Sequence, residues 1–559
     1  MKEVIEVAIS EVVQELGLDQ VDFVVEHPVD LAHGDYACNV AMVVAKRVGK
    51  APREIAEQFR VALEGQIEYV DKIEIAGPGF LNFYLGRDFF TMEIVRANSS
   101  AKEWGRNDNE KSELVMLEYT SPNLFKPLHI GNLVGNIIGE SLSRLFEFSG
   151  ATVKRVNYPS DIGLTVAKGV WGIKKSKGDP DQIEDLGKAY MLGNEAYEAD
   201  GEEKEEIENI NKVLYEGGDE ELNRIRKIGI ATSLKRLGEL CDILGTKFDL
   251  EFFESDVSSL GAELVKKNTG KVFKESDGAV VYEGERVGLH TRVFLNSKGL
   301  PTYEAKDLGN FVTKQKAYPD WTKSIIVTGN EQREYFKVLF SAIREIFTDS
   351  QEKDLEHIPT GFLTLTTGKM SSRKGNVLTG ESLLTEIQEE ARTKAENART
   401  DNVQELTKEV AVAALKYQIL RQGPGSNIVF DKEKALSFEG DSGPYLQYTH
   451  ARICSVLEKA KDMEVEENIE KTPETPYQIE RMLYQFPEVI EEALASRAPH
   501  KVVGYLTELA GEFNSFYAKE KIADTTDEYA PYKIALAKAV KTTLKNGLWV
   551  LGIKAPERM

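Results

Sequence analysis

Two short polar runs in this chain carry the residue types that phosphate chemistry needs. The first is EYTSPNLFKPLHIGN, Glu118 to Asn132; the second is KMSSRKGN, Lys369 to Asn376, with Lys369 following His129 by 240 positions. In the first run Lys126 offers a mobile positive charge, His129 and Asn132 offer hydrogen-bond donors, and Gly131 lets a ligand approach the backbone. In the second, Lys369, Arg373 and Lys374 lie in a glycine-flanked loop that can reach over a triphosphate and neutralise its charge.

The neighbouring residues predict what positions the first run. Leu114 to Leu117 is an apolar strand candidate, and Leu133, Val134, Ile137, Ile138, Leu142 and Leu145 recur at helical spacing up to Ser149 and Gly150. A further extended run, Val153 to Tyr158, completes a βαβ unit of a parallel sheet, whose ligand crevice lies at the carboxyl ends of the strands. His129 and Asn132 then stand at a helix N-terminus, where free N–H groups and the dipole favour anions such as a nucleoside triphosphate.

The pairing of HIGN with KMSSRKGN resembles the HIGH and KMSKS signatures of class I aminoacyl-tRNA synthetases. Either string alone recurs by chance, but their order, their separation and the matches below narrow the resemblance to arginyl-tRNA synthetases. The resemblance implies catalytic roles for Lys126, His129, Asn132 and Lys369. It implies ATP binding by His129, Gly131, Asn132, Lys369, Met370, Ser371, Arg373 and Lys374, with Mg²⁺ on the phosphates. Where the general second signature has another lysine this chain has Ser372; in arginine enzymes lacking that lysine, one just before the HIGH motif takes over, and Lys126 occupies that place.

Further on, LPTYEAKDLGN sets Tyr303 and Asp307 four apart, hence on one face if the stretch is a helix. Arginine presents a planar fork of N–H donors that a carboxylate meets with two parallel bonds. By spacing alone Asp307 reads as a surface helix partner. The resemblance instead places Glu118, Asn123, Tyr303, Asp307 and Gln332 in an arginine pocket, with Asp307 facing the guanidinium. A pocket of that kind discriminates without an editing domain. The resemblance also implies that arginine activation requires bound tRNA.

Length and composition are compatible. At 559 residues the chain exceeds one core, so three or four domains are expected, and 41% hydrophobic with 29% charged residues reads as globular. It has no apolar run of about 18 residues for a membrane span, and MKEVIEVAISEVVQE carries acids where a signal peptide is apolar, which predicts a cytoplasmic protein with no membrane partner. Three scattered cysteines and seven histidines without metal-ligand spacing predict no structural metal. The net charge of −22 argues against a nucleic-acid partner only in sum: between Asp179 and Glu221 stand 16 acids and 3 bases, so one acidic stretch supplies most of it and basic surfaces remain possible elsewhere.

The expected fold is α/β and multidomain. Residues 1–108 predict a small α+β domain, with a helix from Val4 to Leu16, another over Val40 to Lys46, and extended runs Val70 to Ile75 and Phe80 to Leu85 around a Gly-Pro-Gly turn. Its HGDYACNVAM resembles the N-terminal domain of arginyl-tRNA synthetases, making Asn39 a tRNA-binding candidate; a turn and a helix cap account equally well for Gly34 and Asp35. A Rossmann-type parallel-sheet catalytic domain is expected over 109–376 with an insertion over about 179–255, then a helical connective segment, 377–437, and an all-helical anticodon-binding domain, 438–559. FEGDSGPYLQYTHARI and the terminal LGIKAPERM resemble the family there, which makes Tyr445, Tyr448, Tyr517 and Met559 tRNA-binding candidates. By spacing alone such aromatics are more often core than a stacking platform for bases. The resemblance thus implies an arginine–tRNA ligase using ATP, Mg²⁺, L-arginine and tRNA(Arg), not DNA, and acting as a monomer. The alternatives are a class I synthetase for another amino acid and a non-catalytic tRNA-binding paralogue.

Overall fold

The computed structural model describes every residue except 19, 349–352, 367–378 and 395–401. At the amino terminus lie α1 (Lys2–Glu15), β1 (Val25–Glu26), β2 (Tyr36–Cys38), α2 (Val40–Val48), α3 (Pro52–Leu63), β3 (Val70–Ala76), β4 (Phe80–Leu85) and α4 (Arg87–Ser100). The strands form an antiparallel sheet of order β1-β2-β4-β3. Ile5, Ile9, Val12 and Val13 form the buried stripe of α1 and share a core with Phe59 and Phe83, which is what turns that periodicity into a helix. Before β2, Gly34 has φ +101° and a Cβ there would lie 2.7 Å from the Phe83 carbonyl oxygen, so only glycine fits this turn.

These elements do not stand alone. Met1–Trp104 forms one compact unit with Val456–Phe486 and Glu512–Thr543. Arg481 Nη1 pairs with Asp35 Oδ1 at 2.6 Å and Arg87 Nη2 with Glu480 Oε2 at 2.7 Å, both carboxylates being buried. Leu85 N also donates to Asp35 Oδ2 at 2.8 Å. Asp35 is therefore a buried ion-pair partner, and removing Arg481 would strand its charge. The partners are 446 residues apart, beyond the reach of any local pattern.

The second compact unit comprises Gly105–Ser455, Pro487–Gly511 and Leu544–Met559. It opens with β5 (Leu114–Glu118), α5 (Ile130–Phe148) and β6 (Thr152–Asn157). Four helices follow, α6 (Leu164–Ser176), α7 (Ile183–Glu198), α8 (Glu202–Glu216) and α9 (Glu220–Leu244), before β7 (Leu250–Glu251) and α10 (Glu254–Asn268). A small antiparallel sheet holds β8 (Lys274–Ser276), β9 (Ala279–Tyr282) and β10 (Arg292–Leu295). Next come α11 (Tyr303–Ala317), β11 (Lys323–Gly329), α12 (Arg333–Ile346), β12 (Asp354–Thr360), β13 (Leu363–Leu365), α13 (Gly380–Lys394), α14 (Val403–Leu420) and β14 (Ile428–Phe430). The helices α15 (Lys432–Ala435), α16 (Gly443–Asp462), α17 (Gln478–Leu483), α18 (Phe486–Ala495), α19 (Pro499–Lys519) and α20 (Ala530–Val550) complete the chain.

The central sheet is parallel, with order β12-β11-β5-β6-β7. Val115, Met116 and Leu117 of β5 are fully buried, as both covered faces of such a sheet require. From β5 the chain proceeds to β6 and β7 on one side, whereas β11 and β12 lie on the other. The strand order thus reverses between β5 and β11, and a crevice opens beyond their carboxyl ends.

The helical layer runs from Leu164 to Leu244, whereas the acidic stretch and the helical run Leu222 to Leu244 predict an insertion over about 179–255. Charge missed α6 because that helix is largely apolar: Val166, Val170 and Trp171 share one core with Leu186, Ile207, Leu214 and Phe125. Glu202, Glu203 and Glu205 of α8 are exposed, so the acidic run is the solvated face of this layer. Among the described residues, no helix is long and apolar enough to cross a membrane.

Candidate active site

The loop joining β5 to α5 contains three non-glycine residues in the left-handed region: Thr120 (φ +76°), Ser121 (+37°) and Phe125 (+68°). Such backbone persists only where surrounding contacts over-determine it. Asn132 Nδ2 donates to the Thr120 carbonyl at 2.7 Å, Asn136 Nδ2 to Thr120 Oγ1 at 3.0 Å, and Phe125 N to Ser233 Oγ at 3.1 Å. The Phe125 ring fills space left by two glycines: a Cβ on Gly169 or Gly229 would lie 2.6 or 2.3 Å from it. The helical layer therefore holds the loop's shape. On the other side, Leu124 N donates to the Ser160 carbonyl at 3.0 Å and Ser160 N to that of Pro122 at 2.9 Å, fixing the backbone around the exposed Asn123.

His129 caps α5, its Nδ1 accepting from Gly131 N at 3.1 Å. With Nδ1 as acceptor, Nε2 carries the hydrogen and is free to donate. Desolvation and the nearby Lys126 both lower the His129 pKa, so at neutral pH the exposed ring is an uncharged donor. Lys126 Nζ lies 5.6 Å from the ring centroid of Tyr190 on α7. Gly380 N donates to the Leu128 carbonyl at 2.9 Å, and Thr379 bridges His129 in antiparallel fashion. The chain immediately after the second run is thus stitched to HIGN. Lys369, Met370, Ser371, Ser372, Arg373 and Lys374 themselves lie outside the described residues.

Beside β5 a charged pocket is built on α11. Tyr303 is exposed at the start of that helix, whereas Asp307, Asn310 and Lys314 follow at helical spacing towards Glu118. Buried Glu118 is ion-paired with Lys314 and accepts from Asn310 Nδ2 at 3.0 Å. Buried Glu254 pairs with Lys306 at 2.5 Å. Asp307 has no cationic partner among the described residues and accepts only from the Tyr335 hydroxyl, at 2.5 Å. Burial pushes its pKa up to about 8; the Tyr335 hydrogen bond opposes this, and the charges of Glu118 and Glu254 add to it. The pocket therefore lacks one positive charge, beside a carboxyl that a cation would ionise.

The structure brings Glu118, Tyr303 and Asp307 together and sets Asn123 and Gln332 on the loops that follow β5 and β11; Gln332 is exposed at the end of the turn Asn330–Gln332. Sequence reasoning missed Tyr335, Asn310, Lys314, Glu254 and Lys306. The spacing of 307, 310 and 314 was a usable signal for two of them; nothing local marks the others.

The tRNA candidates divide between the compact units. Asn39 and Tyr517 belong to the first, Tyr445, Tyr448 and Met559 to the second. Asn39 Oδ1 accepts from Val24 N at 2.8 Å, a structural bond at the start of α2. Tyr517 and Tyr448 are exposed, the latter with the Arg452 guanidinium 4.8 Å from its ring centroid, while Tyr445 and Met559 are half-buried. Among the described residues, no group of three His, Cys, Asp or Glu side chains is placed to hold a metal.

Comparison with known proteins agrees with this geometry over the whole chain. Residues 94–432 match the family described as tRNA synthetases class I (R), catalytic domain, residues 446–559 the DALR anticodon binding domain, and residues 1–85 the arginyl tRNA synthetase N terminal domain. The arginine–tRNA ligase of Clostridioides difficile is 32% identical, over 99% of this chain and 98% of that protein. The chain belongs to the arginyl-tRNA synthetase family. Another member, the arginine–tRNA ligase of Halothermothrix orenii, is 31% identical over 99% of this chain and 98% of its own length. The arginyl-tRNA synthetase of Thermus thermophilus superposes with a TM-score of 0.81 at 25% identity, covering 100% of both chains. The strained loop, the β5/β11 crevice and the carboxylates on α11 therefore lie within an arginyl-tRNA synthetase catalytic domain.

Proposed function

We propose that this arginyl-tRNA synthetase joins L-arginine to ATP, releasing pyrophosphate, and then transfers the arginyl group to the 3′ end of tRNA(Arg). In the first step the arginine carboxylate attacks the α-phosphorus in line, so the protein's work is positioning and charge stabilisation. The His129 Nε2–H, Lys126 and the N–H groups around Gly131 at the start of α5 hold the phosphates, and Lys369, Met370, Ser371, Arg373 and Lys374 contribute the further ATP contacts. Mg²⁺ arrives with the nucleotide as part of the substrate. Asn132 contributes by clamping Thr120. Asp307 takes the guanidinium fork, Glu118 with Lys314 forms the pocket floor, and Tyr303, Asn123 and Gln332 border the amino-acid backbone. Asn39, Tyr445, Tyr448, Tyr517 and Met559 serve tRNA, and the protein acts as a cytoplasmic monomer.

The observation that carries this reading is Asp307, a half-buried carboxylate without a cation among the described residues, beside two buried ones that have one. In a pyrophosphate-exchange panel of the standard amino acids, only arginine should support exchange, and only with tRNA(Arg) present. Exchange with another amino acid would overturn the substrate, and exchange without tRNA would overturn the tRNA requirement.

Asp307 also gives the reaction a pH signature. With its carboxyl at about 8 in the empty pocket, a guanidinium must expel the proton to bind. The KM for arginine should fall roughly tenfold per pH unit from pH 6 towards 8 and level off above it, since only the ionised fraction is competent. A KM for arginine that is flat across pH 6 to 8.5, at saturating ATP and tRNA, would contradict this.

The clamp on the strained loop predicts a difference between two variants. Asn132→Ala frees the Thr120 carbonyl and should lower kcat by about tenfold, the worth of one hydrogen bond of roughly 1 to 1.5 kcal/mol. Asn132→His, whose ring N–H can reach the same carbonyl, should stay within a few-fold of wild type. Equal losses in the aminoacylation rate would show that the amide does something other than clamp.

A further inference from the structure

Around Asp307, two buried polar atoms have no hydrogen-bond partner among the described residues: the Tyr158 hydroxyl and Asn310 Oδ1. Tyr158 is 8% exposed and Asn310 3%. An orphan at that depth is costly, about 1 to 3 kcal/mol, unless a ligand or water meets it.

Asn310 lines the pocket itself, and Tyr158 stands close enough to Asp307 to feel its charge. Asn310 follows Asp307 by three residues on α11 and lines one cavity with Asp307, Glu118 and Lys314. Its amide nitrogen is committed to Glu118 Oε2 at 3.0 Å, which leaves the oxygen as the free end. Tyr158 directly follows β6, the neighbour of β5, so it enters from the carboxyl end of the sheet. Burial, reinforced by the negative charges of Asp307, Glu254, Glu118 and Asp161, keeps the proton on its hydroxyl. A phenol that keeps its proton can donate to a carboxylate and accept an N–H at the same time.

The donor count shows what these atoms await. A guanidinium brings five N–H groups, and a carboxylate in fork geometry takes two. The other carboxylates are occupied, Glu118 by Lys314 and Asn310, Glu254 by Lys306. Any N–H left unpaired in the pocket would weaken binding. We propose that the Tyr158 hydroxyl and Asn310 Oδ1 accept guanidinium N–H groups that Asp307 leaves over, making both residues specificity-determining contacts for the arginine side chain. This rests on the arginine-ligase reading above. Without such contacts, lysine, whose compact ammonium cannot span Asp307, Asn310 and Tyr158 together, would be excluded less sharply.

Tyr158→Phe tests the proposal because it removes one oxygen and keeps the ring. In the full-length protein with ATP and tRNA(Arg), the KM for arginine should rise about tenfold, while kcat and the KM for ATP stay within twofold. Asn310→Ala should raise the KM for arginine in the same direction, and calorimetric titration of arginine into each variant in the presence of tRNA(Arg) should show the same loss of affinity. An unchanged KM for arginine in Tyr158→Phe would mean that a buried water serves these atoms, and would overturn the proposal. A parallel fall in kcat and rise in the KM for ATP would assign Tyr158 a structural role and overturn it equally. Failure of the wild-type protein to charge arginine is a separate result: it would remove the arginine-ligase reading, and this proposal with it.

Discussion

Asp307→Asn is expected to lower kcat/KM for arginine by about 10²- to 10⁴-fold, the scale of roughly 3 to 5 kcal/mol for leaving a charge in the pocket unpaired. The amide keeps an oxygen for the Tyr335 hydroxyl, which now lies 2.5 Å from Asp307 Oδ2, so the pocket's shape is retained while its charge is lost. Stability should move differently. The folded-state pKa of about 8 lies above the ordinary carboxyl value of 3.8, so the native state holds the proton more tightly and wild-type stability falls as pH rises from about 4 to 8. Relative to wild type, Asp307→Asn should therefore melt higher at pH 8 than at pH 5. Thermal unfolding at the two pH values checks this, and a gain equal at both would show that Asp307 is not held protonated. A variant that loses activity while gaining stability distinguishes a functional carboxylate from a structural one.

The second large effect is expected at the start of α5. His129→Ala should cut the rate of arginyl-adenylate formation by about 10²- to 10³-fold, comparable with losing one donor aimed at developing transition-state charge. The KM for arginine should change little if His129 serves the nucleotide, as proposed. Single-turnover adenylate formation with tRNA(Arg) present separates the two parameters. A rise in the KM for arginine without a change in rate would move His129 to the amino-acid side. His129→Gln should recover part of the loss, since an amide can replace the neutral imidazole donor.

The sequence carried the scaffold of this site well. The predicted strand, helix and strand appear as β5, α5 and β6, because an apolar strand run and a helical apolar stripe are each read from residues only a few positions apart. Tyr303 and Asp307 are on a helix, so their spacing of four does put them on one face. What stayed illegible depends on contacts remote in sequence. No local rule gives Thr120 a φ of +76°, which the side chains of Asn132 and Asn136 stabilise through Thr120's carbonyl and hydroxyl. The acidic stretch marked only a solvated face, whereas it is glycines of α6 and α9, outside that stretch, that receive the Phe125 ring. HGDY resembled a tRNA-binding segment, and its Asp35 is buried against Arg481. Among three carboxylates, Asp307 is the one without a cationic partner among the described residues, and that difference exists only once Lys314 and Lys306 have folded onto their partners.

Charging of tRNA(Arg) by the purified full-length protein with ATP and labelled arginine tests the central claim most directly. Asp307, half-buried and without a cationic partner among the described residues, in the same domain as the strained loop before α5, predicts arginyl-tRNA, with AMP and pyrophosphate formed one for one. Binding of tRNA(Arg) without AMP formation or an arginyl ester would contradict it and leave a protein that holds tRNA and does no chemistry.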